Sequence, residues 1–267
     1  VYESLSVYGN IAYPLKNDRV PAQDIKKRVY EIAELLELTD VLNKSTEILT
    51  AADKQKVSLG RGLVRKDTAA VLLDEPLTVI DPKQQWSLRR KLRQAQDELK
   101  ITMIYVTHDQ HEALTFADYV TVMWNGEVVQ YGTPSELHEE PATPFVGYFI
   151  GSPGMNLYTA ERTDGTVKTA DFTLKVSDDL RKRIAEVGDT FTLGIRPEFV
   201  EVHTEKDESG IQTELITIED TGAYKILTLK KGGTVIKTRA PETMNLREGD
   251  AIWAVFPEEK IKVFRKR

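Results

Sequence analysis

The chain has no cysteine. That excludes disulfides and thiolate metal sites, and it is compatible with a reducing cytoplasm. No apolar run approaches the roughly 18–20 residues needed to span a bilayer, and no signal peptide is visible. A role at a membrane would therefore need a partner that holds this chain as a peripheral subunit. An excess of basic residues is also lacking. With 36 Lys and Arg against 42 Asp and Glu, the formal charge is −6, which gives no reason to expect nucleic acid as a partner. The basic clusters Arg89-Arg90-Lys91 and Arg265-Lys266-Arg267 read as a solvated helix face and a short tail. No G-x-x-x-x-G-K-[ST] loop occurs, and no repeat is long enough for a solenoid. What remains is ordinary: 267 residues, 40% hydrophobic and 29% charged, which suits a globular chain with room for two domains.

Against that background one stretch is informative. An apolar run from Ala69 to Leu73 ends in Asp74-Glu75-Pro76. A buried strand would deliver both carboxylates to its carboxyl end. An aspartate there suits the magnesium ion that bridges nucleotide phosphates, and a neighbouring glutamate suits polarisation of an attacking water. The pentapeptide alone also fits a strand followed by a turn. Asp81-Pro82 then forms a good N-cap and first-turn pair for a helix from Gln84 to Leu99. A β-branched run, Ile101 to Val106, predicts a second buried strand. It ends at Thr107-His108-Asp109-Gln110. In open α/β sheets ligands bind at the carboxyl ends of strands, so His108 could reach the same site as Glu75.

Elsewhere the pattern predicts an irregular segment over 1–15, a turn over 16–22, and helices over 23–38 and 52–64. A helix from Gln110 to Ala117 follows. Asn125-Gly126 between two apolar runs is the strongest short hairpin signal. Pro134 and Pro144 each open a short helix. Past Gly151-Ser152-Pro153-Gly154 the composition shifts to β-branched segments separated by turn residues. Eight strands are expected there, Phe172–Val176, Thr190–Arg196, Val200–His203, Gln212–Ile218, Tyr224–Leu229, Thr234–Thr238, Ile252–Phe256 and Lys260–Phe264, and only Asp178 to Val187 looks helical. The second domain is thus predicted to be a small all-β barrel of the oligonucleotide-binding type.

These motifs together resemble the ATP-binding subunit of bacterial ABC importers, in the branch that serves sugars and polyols. Val71 to Pro76 is similar to the Walker B segment, Asp81 to the D-loop aspartate and His108 to the switch histidine. Leu59 to Arg65 resembles the helix after the family signature, and Leu193-Gly194-Ile195-Arg196-Pro197-Glu198 the start of the C-terminal β-module. The resemblance implies an α/β fold: the C-terminal part of a P-loop NTPase domain over 1–152, with a helical subdomain near 16–65 and an all-β regulatory domain over 153–267. It implies ATP and Mg²⁺ as cofactors, with Asp74 on magnesium through water. Glu75 would be the general base, His108 would sense the γ-phosphate, and Asp81 would face a partner. It also implies a second ATPase subunit, two transmembrane permease subunits and, indirectly, an extracytoplasmic solute-binding protein. The location implied is the cytoplasmic face of the plasma membrane.

One segment departs from the family. Where Leu-Ser-Gly-Gly-Gln is usual, this chain has Leu49-Thr50-Ala51-Ala52-Asp53. Thr50 keeps a hydroxyl, Ala51 and Ala52 add methyl groups where close backbone approach is wanted, and Asp53 adds negative charge near a polyanion or simply caps the helix. A working heterodimer is expected from this. The variant, with Leu77 to Pro82, resembles one of the paired ATPases of glycerol importers, so glycerol is the favoured cargo of the complex. A catalytically weak regulatory subunit and a non-transport ABC ATPase are the other readings. Because Val7 to Ala12 resembles a stretch that follows the family's Q-loop glutamine, the chain is expected to be a fragment without the phosphate-binding loop, inactive by itself. A naturally short protein is the alternative.

Overall fold

The computed structural model describes residues 1–266; Arg267 of the basic tail lies outside them. Val7, Ile11, Ala12 and Leu15 are all buried and recur at helical spacing. The Ser6 hydroxyl accepts from the Gly9 N–H at 3.1 Å and caps them. The result is helix α1 (Val7–Asn17), where the sequence pattern predicts an irregular segment. Pro14 inside the helix removes a backbone donor and hides it from a reading of propensity. Helix α2 (Ala22–Leu35) and helix α3 (Ala51–Leu63) follow. Buried Asn10 ties the first residues down: its Oδ1 accepts from the Tyr2 N–H at 2.7 Å and its Nδ2 donates to the Tyr2 carbonyl at 2.9 Å. Arg28, also buried, donates to the carbonyls of Leu63 at 2.9 Å and Val64 at 3.0 Å. It satisfies groups that the end of α3 leaves without partners.

Strand β1 (Ala70–Asp74), helix α4 (Pro82–Leu99), strand β2 (Thr102–Val106) and helix α5 (Gln110–Phe116) form the next layer. The two strands pair in parallel, from Ala70 opposite Thr102 to Asp74 opposite Val106. Val71 and Leu73 face the core with Leu88, Leu92 and Phe116. The alternate face is open, with Leu72 at 72%, Ile104 at 52% and Val106 at 53% exposure. The sequence predicts fully buried strands; the structure buries one face of each. A continuous apolar run specifies a strand but not how many of its faces are covered.

Residues Val1–Asp118 make one compact unit and Tyr119–Arg267 another. The second opens with strand β3 (Val120–Trp124) and strand β4 (Glu127–Gly132), joined by Asn125 and Gly126 at φ of 50° and 81°. Both positive values are what a tight two-residue hairpin turn requires. Short helices α6 (Pro134–Glu139) and α7 (Pro144–Phe149) follow. The all-β part runs β5 (Asn156–Thr163), β6 (Thr166–Lys168), β7 (Thr173–Lys175), α8 (Asp178–Val187), β8 (Thr190–Ile195), β9 (Glu201–His203), β10 (Ile211–Asp220), β11 (Tyr224–Lys231), β12 (Thr234–Pro241), β13 (Ala251–Val255) and β14 (Lys262–Arg265). These strands form two five-stranded sheets, ordered β12-β11-β10-β13-β9 and β14-β8-β5-β6-β7. Phe191, Leu193, Leu227, Leu229 and Ile252 belong to their common core.

The compact units divide at 118/119, whereas the composition shift lies at 152/153. Arg196 shows why. It is buried at 2% exposure, and its guanidinium donates to the carbonyls of His138 at 2.7 Å and Ile150 at 2.5 Å. Its motif therefore fastens α6 and α7 to the all-β part.

Candidate functional site

The carboxyl ends of β1 and β2 carry the predicted chemistry side by side. Glu75 leaves β1 with its N–H donating to the Val106 carbonyl at 2.9 Å. Its backbone then turns into the left-handed region at φ 43°. A glutamate there is strained, and a following proline restricts it further. The conformation is held from several sides. Glu75 Oε1 lies 2.8 Å from Nδ1 of His108. The Thr78 hydroxyl donates to Glu75 Oε2 at 3.1 Å. Both partners are open to solvent, His108 at 74% and Glu75 at 43% of the side chain. The hydrogen bond from His108, and then that from Thr78, hold the Glu75 carboxyl below the ordinary carboxylate range. The same Glu75 contact raises His108 above the usual histidine value. Asp74 points from the other side of the strand, with Leu72, and is exposed.

His108 is fixed by its own neighbours. Asp109 caps α5, with Oδ1 accepting from the N–H groups of His111 at 2.7 Å and Glu112 at 3.3 Å. Glu112 is the only carboxylate among the buried polar groups of the described residues. Its Oε2 accepts from the Thr107 hydroxyl at 2.9 Å and the Tyr105 hydroxyl at 3.0 Å. Burial, and then the charge of Glu112, push the Tyr105 phenol far up, so it stays a donor. Thus the end of β2 is tied to the first turn of α5, and His108 is presented between them. Sequence reasoning missed Thr78 and Glu112. The spacing Thr107 to Glu112 is visible in the sequence, but only the turn brings the two side chains together.

The structure does not bring every predicted residue to this point. Asp81 caps α4, its Oδ1 accepting from the Lys83 N–H at 2.9 Å. Thr50 caps α3, accepting from the Asp53 N–H at 3.1 Å and donating to Asp53 Oδ2 at 2.9 Å. Ala51 and Ala52 form the first turn between them. No hydrogen bond or ion pair joins this group to Glu75 or His108 among the described residues. Asp53 is thus part of the cap of α3. The cap also leaves a carboxylate fixed at a helix N-terminus, the place where an external anion would otherwise be favoured.

No group of three or more acidic or histidine side chains among the described residues could hold a metal ion alone. One exposed strand-end carboxylate suits magnesium, which is bound through one or two carboxylates together with substrate phosphates. Asp74 fits that description.

Comparison with known proteins identifies the family. The family model described as the MalK OB fold domain matches residues 151–200. The trehalose/maltose import ATP-binding protein MalK of Thermococcus litoralis is 40% identical, over 100% of this chain and 74% of its own length. The oligosaccharides import ATP-binding protein MsmX of Bacillus subtilis is 35% identical over 97% and 73%. The sn-glycerol-3-phosphate import ATP-binding protein UgpC of Escherichia coli O157:H7 is 37% identical over 99% and 74%. The chain belongs to the family of ABC import ATP-binding proteins, which combine an ATP-binding α/β domain with an OB-type β-domain.

Proposed function

We propose that this chain is part of the ATP-hydrolysing subunit of an importer for a carbohydrate or polyol, the part that carries the hydrolytic carboxylate. The paired Glu75 and His108 at the ends of two parallel strands carry that reading. Phosphoryl transfer needs little covalent chemistry from the protein; it needs positioning and charge stabilisation. Glu75, kept ionised, takes a proton from the attacking water or orients it. His108, partnered through Nδ1, holds Glu75 in place and offers its other ring nitrogen toward a terminal phosphate. Asp74 is the group that would hold magnesium, which supplies charge neutralisation on the phosphates. Asp81 faces the partner ATPase. No described helix is long and apolar enough to cross a membrane. Attachment to the cytoplasmic face therefore falls to two permease subunits, with a solute-binding protein on the far side.

The relatives are named for trehalose and maltose, oligosaccharides and sn-glycerol-3-phosphate. None of these names is glycerol itself; that cargo is favoured by the resemblance of Leu49 to Lys56 and Leu77 to Pro82 to a glycerol-importer ATPase. The closed Thr50–Asp53 cap supports a second element of the reading, an asymmetric pair of ATPases. Asp53 would meet a partner-held γ-phosphate as a like charge, and two such charges about 4 Å apart repel by roughly 1–4 kcal/mol. The composite site that uses this cap is therefore the weak one, while the site built on Glu75 fires. The test is ATP turnover and solute uptake by the importer complex in vesicles. Glu75→Gln is expected to lower turnover by about 10²–10⁴, the usual contribution of such a group. The equivalent change in the partner ATPase is expected to cost far less. Equal losses would rule out the asymmetry, and unchanged turnover in Glu75→Gln would rule out the catalytic assignment.

A further inference from the structure

Within the all-β part, the loop between β6 and β7 meets the start of β10 and the end of β11, so both sheets contribute walls to one cavity. Its volume is ≈ 430 Å³, within the range of small-molecule sites. Lys168, at the end of β6, and Lys231, at the end of β11, both line it. Neither ammonium has a hydrogen bond or an ion pair among the described residues. Glu161 stands opposite Lys168 in the β5–β6 register but is not ion-paired with it. Asp171 is the one carboxylate in the lining, and it is engaged elsewhere. Its Oδ2 accepts from the Gly233 N–H at 3.1 Å and the Thr234 hydroxyl at 2.6 Å, in the β11–β12 turn. Gln212 and Thr173 add neutral, exposed polar groups, and buried Phe172 supplies an apolar wall.

Two ammoniums against one carboxylate leave the lining net positive beside neutral hydrogen-bonding groups, which suits a small anion that also carries hydroxyls. A cation would meet two ammoniums against one already hydrogen-bonded carboxylate, and a wholly apolar ligand would leave the polar part of the lining without partners. We propose that this cavity binds a small phosphate-bearing solute, with the phosphate held by Lys168 and Lys231. Ammonium–phosphate contacts are charge-assisted and stronger than neutral ones. This site is remote in sequence from Glu75 and His108, and it does not depend on the importer reading.

The test is calorimetric titration of the full chain with glucose 6-phosphate, inorganic phosphate and glucose. Glucose 6-phosphate is expected to bind, and glucose is not. Equal binding by inorganic phosphate would identify the free ion as the natural source; weaker binding would identify a sugar or polyol phosphate. Lys168→Ala and Lys231→Ala are each expected to weaken binding roughly tenfold to a hundredfold. Lys231→Arg should restore most of it, and Lys182→Ala, on an exposed face of α8, should leave it unchanged. Undetectable binding of glucose 6-phosphate, equal binding of glucose, or undiminished binding in both lysine-to-alanine variants would overturn the proposal.

Discussion

His108 and Glu75 form a pair whose two protonation states oppose each other. The folded value of His108 is raised, so its contribution is complete below the ordinary histidine value, about 6.5. It is lost as pH climbs through the raised value. The folded value of Glu75 is lowered, so its contribution is complete above the ordinary carboxylate value, about 4.3. It is lost as pH falls through the lowered one. The pair is therefore at full strength between roughly pH 4.3 and 6.5. Imidazole resonances followed by NMR should show His108 titrating above the ordinary value, and Glu75→Gln should bring it down. A midpoint unmoved by Glu75→Gln would separate the two groups. Glu112 gives a second expectation at this scale. Glu112→Ala leaves the Tyr105 and Thr107 hydroxyls without their acceptor, at about 1–3 kcal/mol by urea unfolding, while Glu112→Gln should retain most of that. Glu75 and His108 were legible in the sequence because each ends an apolar run. Thr78 and Glu112 were not, because their roles come from side chains meeting across a turn.

At the scale of elements, local signals succeeded where caps and spacing agreed. Asp81-Pro82, Asn125-Gly126, Pro134 and Pro144 each mark an element that the structure contains. Helix α1 was missed because Pro14 outweighed the Ser6 cap and the buried spacing of Val7, Ile11 and Leu15. Strands β5 and β6 were missed although Asp164-Gly165 between them is a hairpin signal; their charged, solvent-facing positions diluted the alternation. Packing of helices was not legible at all. In α3, a Cβ on Gly60 would lie 3.2 Å from both Ile11 and Leu36, whereas one on Gly62 would meet nothing within 4 Å. Gly60→Val is thus expected to destabilise by about 1–3 kcal/mol through overpacking. Gly62→Ala is expected to stabilise by a few tenths to about 1 kcal/mol by removing chain entropy. Unfolding midpoints that move together in both variants would contradict the close approach of α3 to α1.

For the whole molecule, the sequence conveyed both parts of the architecture but not where the compact units divide. The reason is Arg196, whose buried bonds to His138 and Ile150 join α6 and α7 to the strands that follow. Function at this scale reduces to one proposal, that the strand ends bearing Glu75 and His108 hydrolyse ATP to drive import. The direct measurement is the nucleotide bound to the importer complex after brief incubation with ATP and magnesium. With Glu75→Gln the complex should retain intact ATP, because binding survives while hydrolysis does not, and the unaltered complex should hold ADP. Equal conversion to ADP in both would show that this carboxylate is not the hydrolytic group.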